Sequence, residues 1–117
     1  MQDPHVVQQA DVCRRYGAGI HMPEPGSKLG LAQGAACGIF PINGLRHPPR
    51  GNTSGWYVWS GDYSEDTDFF KPLHVDHAVS GAMVFARYLA LPTGWRFVIG
   101  ADGYEDIWYD ASLLAPD

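Results

Sequence analysis

The sequence predicts an α+β domain spanning residues 1–117, in which an antiparallel or mixed sheet of about four strands carries two main helices. Two segments have apolar residues at helical spacing. Four others are short and rich in β-branched and aromatic residues, which is typical of strands. In chain order they give helix, strand, strand, helix, strand, strand, and this alternation indicates helices packed on one face of a small sheet.

The first helix is predicted over residues 4–16. Asp3 precedes Pro4, a pairing of N-cap residue and first-turn proline that favours helix initiation, and Gly17 is a natural stop. Cys13 falls on the apolar stripe of this helix and is therefore expected to pack in the core.

The second helix is predicted over residues 75–90, weakened by Gly81 and ended by Pro92. Its stripe consists of the apolar residues at 75, 78, 79, 82, 86 and 89.

The strands are predicted at residues 37–42, 56–60, 95–99 and 104–109. The segment 56–60 has bulky residues at both its inward and its outward positions, which favours a central strand. The last two segments flank a Gly-containing turn and predict a β-hairpin. We expect the core to include Trp56, Phe85, Phe97 and Ile107.

The intervening segments are expected to be irregular. Residues 18–36 are dense in Gly, Pro and Ser, and residues 43–55 contain a Pro pair that favours extended backbone. This second loop should present Arg46, His47 and Arg50 to solvent as a contact element.

The two cysteines and the lack of a secretory signal pattern indicate a reducing compartment. Cys13 and Cys37 are far apart in sequence, which favours reduced thiols, with a single bridge as the alternative. A buried strand position is the expectation for Cys37. No apolar run approaches the roughly 20 residues that span a bilayer, and the first residues lack a secretory signal pattern. We therefore expect a cytoplasmic protein that binds no membrane.

Charge is divided unevenly along the chain. Residues 1–58 carry five bases and three acids, whereas residues 59–117 carry three bases and ten acids. Acidic fields repel phosphate backbones and attract cationic partners, so a nucleic-acid partner is not expected. All the aromatic residues except Tyr16 and Phe40 lie between Trp56 and Tyr109, interleaved with these acids. Rigid aromatic area beside negative charge favours a protein-binding surface.

The predicted partner-binding residues come from the two acidic, aromatic segments. In residues 61–70 and 104–110 they are Asp62, Tyr63, Glu65, Asp66, Asp68, Tyr104, Glu105 and Asp106. The bland alternative is that these acids are solvated loop faces that only maintain solubility.

Catalytic signatures are weak throughout the chain. His74, Asp76 and His77 could share a metal in an enzyme, although the further ligands of known zinc patterns are missing, so Asp76 as a helix cap is favoured. No nucleophile elbow or phosphate loop occurs. We therefore predict no catalytic residue, no metal and no cofactor, and keep a metal-dependent enzyme and a small-ligand-binding module as alternatives.

Five segments in order resemble the immunity protein 33-like family. They are NGLRHPP at 43–49, SGWYVWSG at 54–61, DFFKPLH at 68–74, LPTGWRF at 91–97 and YEDIWYD at 104–110. The resemblance implies a non-enzymatic protein of a bacterial polymorphic toxin system, which binds a cognate protein toxin and neutralises it. It implies no catalytic residues and no defined contact positions.

Overall fold

The computed structural model describes residues 4–24, 26–66, 68–81 and 83–114. They form one six-stranded mixed sheet with helices, so the α+β prediction is confirmed, whereas the expected four strands and two helices are too few. The strands are β1 (Lys28–Leu31), β2 (Ile42–Arg46), β3 (Thr53–Ser60), β4 (Lys71–His74), β5 (Trp95–Ile99) and β6 (Glu105–Tyr109). The helices are α1 (Pro4–Arg15), α2 (Gln33–Ala36) and α3 (Val75–Ser80), with 3₁₀ helices at Ala86–Tyr88 and Ala111–Leu114.

Strand order across the sheet is β4-β1-β3-β2-β5-β6. The pair β1 and β3 is parallel, and the other neighbours are antiparallel. The predicted central strand is confirmed, because β3 lies between β1 and β2. The predicted hairpin is also confirmed, with Phe97 opposite Ile107 in the register of β5 and β6.

The core lies between one face of the sheet and the helices. All four predicted core residues, Trp56, Phe85, Phe97 and Ile107, are buried. The indole N–H of Trp56 donates to the Leu89 carbonyl oxygen at 2.9 Å, which satisfies its one polar atom. Cys13 is a fully buried free thiol, as predicted.

The N-terminal helix is confirmed by α1, while the predicted N-cap, Asp3, lies outside the described residues. The second predicted helix is wrong in length. Only Val75–Ser80 is α-helical, because the Met83 N–H returns to the Ala78 carbonyl at 3.1 Å, a pattern that closes a helix. A 3₁₀ helix at Ala86–Tyr88 follows, and Ala82 of the predicted stripe lies outside the described residues.

The segment between α1 and β3 departs most from prediction. Residues 18–36 contain β1 and α2, and the strand expected at 37–42 begins only at Ile42. The expected loop 43–55 contains β2 and the start of β3. Cys37 is exposed as the C-cap residue of α2, and is not a buried strand residue.

Arg46 corrects the prediction that its loop presents three basic side chains. It lies in β2 and is 3% exposed. Its guanidinium group donates to the carbonyl oxygens of Ser54, His21 and Leu91 at 3.0, 2.7 and 2.8 Å. It also lies 5.7 Å from the ring of Trp56. Burial lowers the pKa of Arg46 to about 10, so the side chain is still charged at neutral pH.

No helix among the described residues has both the length and the apolar character needed to cross a lipid bilayer.

Candidate functional site

The sheet face opposite the α-helices carries an aromatic cluster, defined as Tyr57, Trp59, Tyr63, Phe69 and Phe70. Because side chains alternate along a strand, Tyr57 and Trp59 of β3 point away from the core that Trp56 and Val58 enter. The segment between β3 and β4 supplies the other three rings. Tyr63 lies 5.4 Å from Trp59, and Phe70 lies 5.2 Å from Tyr57, measured between ring centroids. Exposed and half-buried aromatic rings therefore lie on this face of the sheet.

Beside this cluster lies a cavity of about 640 Å³, here called the open-face groove. Its floor is formed by Leu45 of β2 and Tyr57 of β3, which are directly opposite in register. Tyr63 and Phe70 line it from the loop that follows β3, and Leu113 and Leu114 line it from the C-terminal 3₁₀ helix. The segment before β3 contributes His47, Pro48 and Arg50.

The C-terminal lining of the groove is held by Asp110. Its carboxylate accepts hydrogen bonds from the backbone N–H and hydroxyl of Ser112 at 3.0 and 2.6 Å, and pairs with Arg96 at 3.2 Å. The Ser112 hydroxyl and the Arg96 guanidinium group lower the pKa of Asp110. His47 Nδ1 lies 3.2 Å from the Leu113 carbonyl oxygen. These contacts fix the 3₁₀ helix beside the sheet, although nothing in the sequence pattern predicted a role for Leu113 or Leu114.

The first predicted contact segment forms a solvent-exposed acidic loop, defined as Asp62, Glu65, Asp66 and Asp68. All four side chains are exposed. Asp66 Oδ1 accepts the Asp68 N–H at 3.0 Å, and Asp68 pairs with Lys71 at 3.7 Å. An exposed pair of this kind is weak, so the loop keeps a strong negative field.

The second predicted segment is divided between two environments. Tyr104 and Asp106 are exposed, whereas Glu105 points to the helix-bearing face with a side chain only 16% exposed. The cause is the two-residue period of β6, in which Glu105 and the buried Ile107 share one face.

Glu105 joins α1 and the 3₁₀ helix Ala86–Tyr88 to the sheet. Its carboxylate accepts hydrogen bonds from the hydroxyls of Tyr16 and Tyr88, both at 2.6 Å, and from Arg15 at 3.1 Å. Burial acts to raise the pKa of Glu105, but these donors outweigh burial and hold it below the ordinary value. The same carboxylate raises the pKa of Tyr16.

The two predicted segments emerge from the same end of the sheet. Ser60 at the end of β3 is opposite Ile42, Ile42 is opposite Ile99, and Ile99 is opposite Glu105. The acidic loop and the β5–β6 turn therefore follow strands separated only by β2. With neighbouring strands about 4.8 Å apart, the two strand ends lie roughly 10 Å from each other.

The residues considered for a metal lie around the junction of β4 and α3. His74 is the N-cap residue of α3 and makes no side-chain capping bond, while Asp76 accepts the Gly26 N–H at 3.4 Å. The predicted Asp76 cap is therefore wrong. Within the described residues, no three His, Cys, Asp or Glu side chains are grouped so as to hold a metal ion.

Comparison with known proteins identifies the family. Residues 8–110 match the Imm33-like domain, so the chain belongs to the Imm33-like domain family. No curated protein and no solved structure matched the chain.

Proposed function

We propose that this protein is a non-enzymatic immunity protein of bacteria, which binds a cognate protein toxin in the cytoplasm and neutralises it by forming a stoichiometric complex. The observation that carries the proposal is the match to the Imm33-like domain over most of the chain. Further support comes from the sheet face opposite the α-helices, where exposed and half-buried aromatic rings border the acidic loop. Aromatic anchors combined with long-range charge suit tight and rapid association between proteins.

The proposed contacts are the exposed members of the predicted set: Asp62, Tyr63, Glu65, Asp66, Asp68, Tyr104 and Asp106. The acids attract a basic surface of the toxin, and the two tyrosines supply contact area. Glu105 acts differently, because its carboxylate is engaged by three intramolecular donors. Its role in this proposal is to hold β6 against the helices, so that Tyr104 and Asp106 are presented from a fixed strand.

Stoichiometric inhibition is tested by titrating a fixed amount of toxin with the purified chain. The toxin is one whose expression arrests growth and whose effect is relieved by co-expression of this chain. Toxin activity should fall in proportion to added protein and vanish near an equimolar ratio. Complete inactivation by a small substoichiometric amount would indicate catalytic modification of the toxin, and would refute the non-enzymatic proposal.

Charge attraction is tested by reversing Glu65 and Asp66 to Lys. The association rate constant should fall about tenfold at low salt and become less salt-dependent, because electrostatic steering acts mainly on association. Reversal of Asp11 and Glu24, two exposed acids elsewhere, is the matched control with the same change in net charge. Equal effects of the two pairs would show that overall charge matters and that the acidic loop does not.

A second candidate function, binding of a small ligand, is favoured by the open-face groove. Its volume of about 640 Å³ falls within the range of small-molecule sites, roughly 300–1,000 Å³. Native mass spectrometry of protein purified without denaturation tests it. A retained small molecule at near-equal stoichiometry would support this candidate, and apo protein that neutralises toxin would favour the immunity proposal.

A further inference from the structure

We propose that the open-face groove receives an apolar side chain of the toxin, carried on an extended segment with Lys or Arg on one side of that side chain and an acidic group on the other. The inference rests on the proposed function, since it specifies what the toxin presents to this site. Under this inference the toxin's main apolar contact lies in the groove and not on the β5–β6 turn.

The apolar part of the inference comes from the lining. Leu45 and Tyr57 form the floor, while Tyr63 and Leu114 are 58% and 42% exposed beside it. Large apolar side chains held in the open around a concavity are typical of protein contact sites. An aromatic or branched aliphatic side chain inserted there would be desolvated against several rings, as interface anchors are.

The extended shape of the segment follows from the direction of β3. Thr53, Gly55 and Tyr57 line the groove from alternate positions of this strand. Thr53 and Tyr57 pair with Lys28 and Gly30 of β1, which are two residue steps apart, so this stretch of β3 is bulged and spans about 7 Å at roughly 3.3 Å per residue. An extended segment of about three residues therefore matches this stretch in length.

The charge of the segment follows from the two ends of the groove. Arg50 is exposed near the Thr53 end, and its hydrogen bonds to Thr53 use only its backbone atoms. At the other end, Tyr63 belongs to the loop that carries Asp62, Glu65 and Asp66. No salt bridge within the part of the chain described here involves these three acids or Arg50. The groove thus offers negative charge at one end and positive charge at the other, and complementarity requires the reverse in the partner.

A polypeptide fits this groove better than a small molecule does. Small-molecule sites enclose about 70–90% of the ligand surface. Here Tyr63, Leu114 and Arg50 are all exposed, so the groove is open along its border. A protein segment can bind such a site, because the rest of the partner covers the border and excludes water.

The first arm of the test uses the toxin identified by co-expression rescue, in an inactive variant, and measures its Kd for four forms of this protein. Tyr63→Ala and Leu114→Ser remove exposed groove side chains, and each should weaken binding about tenfold. Tyr109→Ala is the matched control, because Tyr109 is 50% exposed and packs on one neighbouring indole, Trp95, as Tyr63 packs on Trp59. Its Kd should stay within about twofold of wild type. Circular dichroism and thermal unfolding verify that each form is folded.

The second arm uses fluorescein-labelled peptides and does not need the toxin. The parent peptide has two Lys, a central Phe-Leu pair and two Asp. One comparison peptide replaces the central pair by Ser-Ser, and another replaces both Lys by Glu. Fluorescence anisotropy should show binding of the parent alone, and Tyr63→Ala and Leu114→Ser should abolish it.

The outcomes separate the two proposals. If toxin is bound and neutralised but both groove variants bind it as wild type does, the groove inference is overturned and the immunity function stands. If no toxin is bound or neutralised, the function fails, and the peptide arm alone decides the inference: equal binding of the three peptides, or none, rejects it. A small molecule retained by wild type and released in both groove variants would replace the polypeptide as the occupant.

Discussion

The buried guanidinium group of Arg46 gives the sharpest stability prediction. Arg46→Met keeps the apolar stem of the side chain and removes the charged group. Three carbonyl oxygens then lose their donor, those of Ser54, His21 and Leu91. No carboxylate pairs with Arg46 in the described part of the chain, so the substitution leaves no unpaired anion behind.

The expected loss follows from these contacts. A buried acceptor deprived of its donor destabilises the fold by about 1–3 kcal/mol. The Ser54 and Leu91 oxygens are buried and the His21 oxygen is partly buried, so the lower end of that range, summed over the three, gives about 3 kcal/mol. The lower end applies because methionine also relieves the desolvation of a buried charge, which offsets part of the loss. For a domain with a stability of roughly 5–15 kcal/mol, this is a large fraction of the total.

Urea unfolding followed by tryptophan fluorescence measures the effect. With an m-value of about 1.5 kcal/mol/M, the midpoint should fall by about 2 M while the slope stays unchanged. Arg14→Met is the control, because Arg14 is exposed and forms only a surface pair with Asp11 at 3.2 Å. A change below about 1 kcal/mol for Arg46→Met would refute the reasoning, since the three carbonyls would then have been satisfied by other means.

Three further predictions concern other buried or constrained positions. The free energy of unfolding of wild type should exceed that of Glu105→Gln by its full amount above about pH 5, and this difference should shrink as the pH falls toward 3. The reason is that the pKa of Glu105 is lowered in the folded state, so its carboxylate stabilises the fold until it is protonated. Urea unfolding across this pH range measures the difference, and a difference that stays constant with pH would contradict the prediction. Gly55→Ala should unfold at a much lower temperature than Gly61→Ala. Both glycines have positive φ, but a Cβ at Gly55 would overlap a backbone carbonyl oxygen and one at Gly61 meets open space, so equal melting temperatures would refute the clash. Ellman's reagent should modify Cys37 and spare Cys13 in the folded protein, since Cys13 is fully buried and burial raises its pKa; two reactive thiols under native conditions would contradict this burial.

Elements with strong local signals could be predicted from the sequence. The segment Trp95–Tyr109 contains two alternating runs around a Gly-containing turn, and it folds as the predicted hairpin. The aromatic run that begins at Trp56 forms the central strand, because its bulky residues face packed surfaces on both sides of the sheet. In both cases the local preference and the tertiary environment favour the same structure.

The elements that were missed depend on distant contacts. The segment Lys28–Leu31 is short and contains Gly30, so its strand state comes from pairing with β3 and β4, which lie later in the chain. Arg46 illustrates the same limit. Its burial requires carbonyl groups from His21, Ser54 and Leu91, and no local pattern indicates that three separate segments converge on one side chain.

The difference between Glu105 and its neighbours, in contrast, was contained in the sequence. Once residues 104–109 are recognised as a strand, the two-residue period places Glu105 on the same face as Ile107, which was itself predicted to be buried. An acidic side chain on the buried face of a strand needs hydrogen-bond donors, and Tyr16, Tyr88 and Arg15 supply them.

The two acidic segments therefore have different roles. The loop after β3 presents its acids to solvent, where they can attract a partner, whereas β6 divides its acids between the interior and the surface. Substitution of Glu105 should consequently alter the stability of the fold and its pH dependence more than the rate of association with the toxin. Substitution of Glu65 or Asp66 should alter the association rate more than the stability.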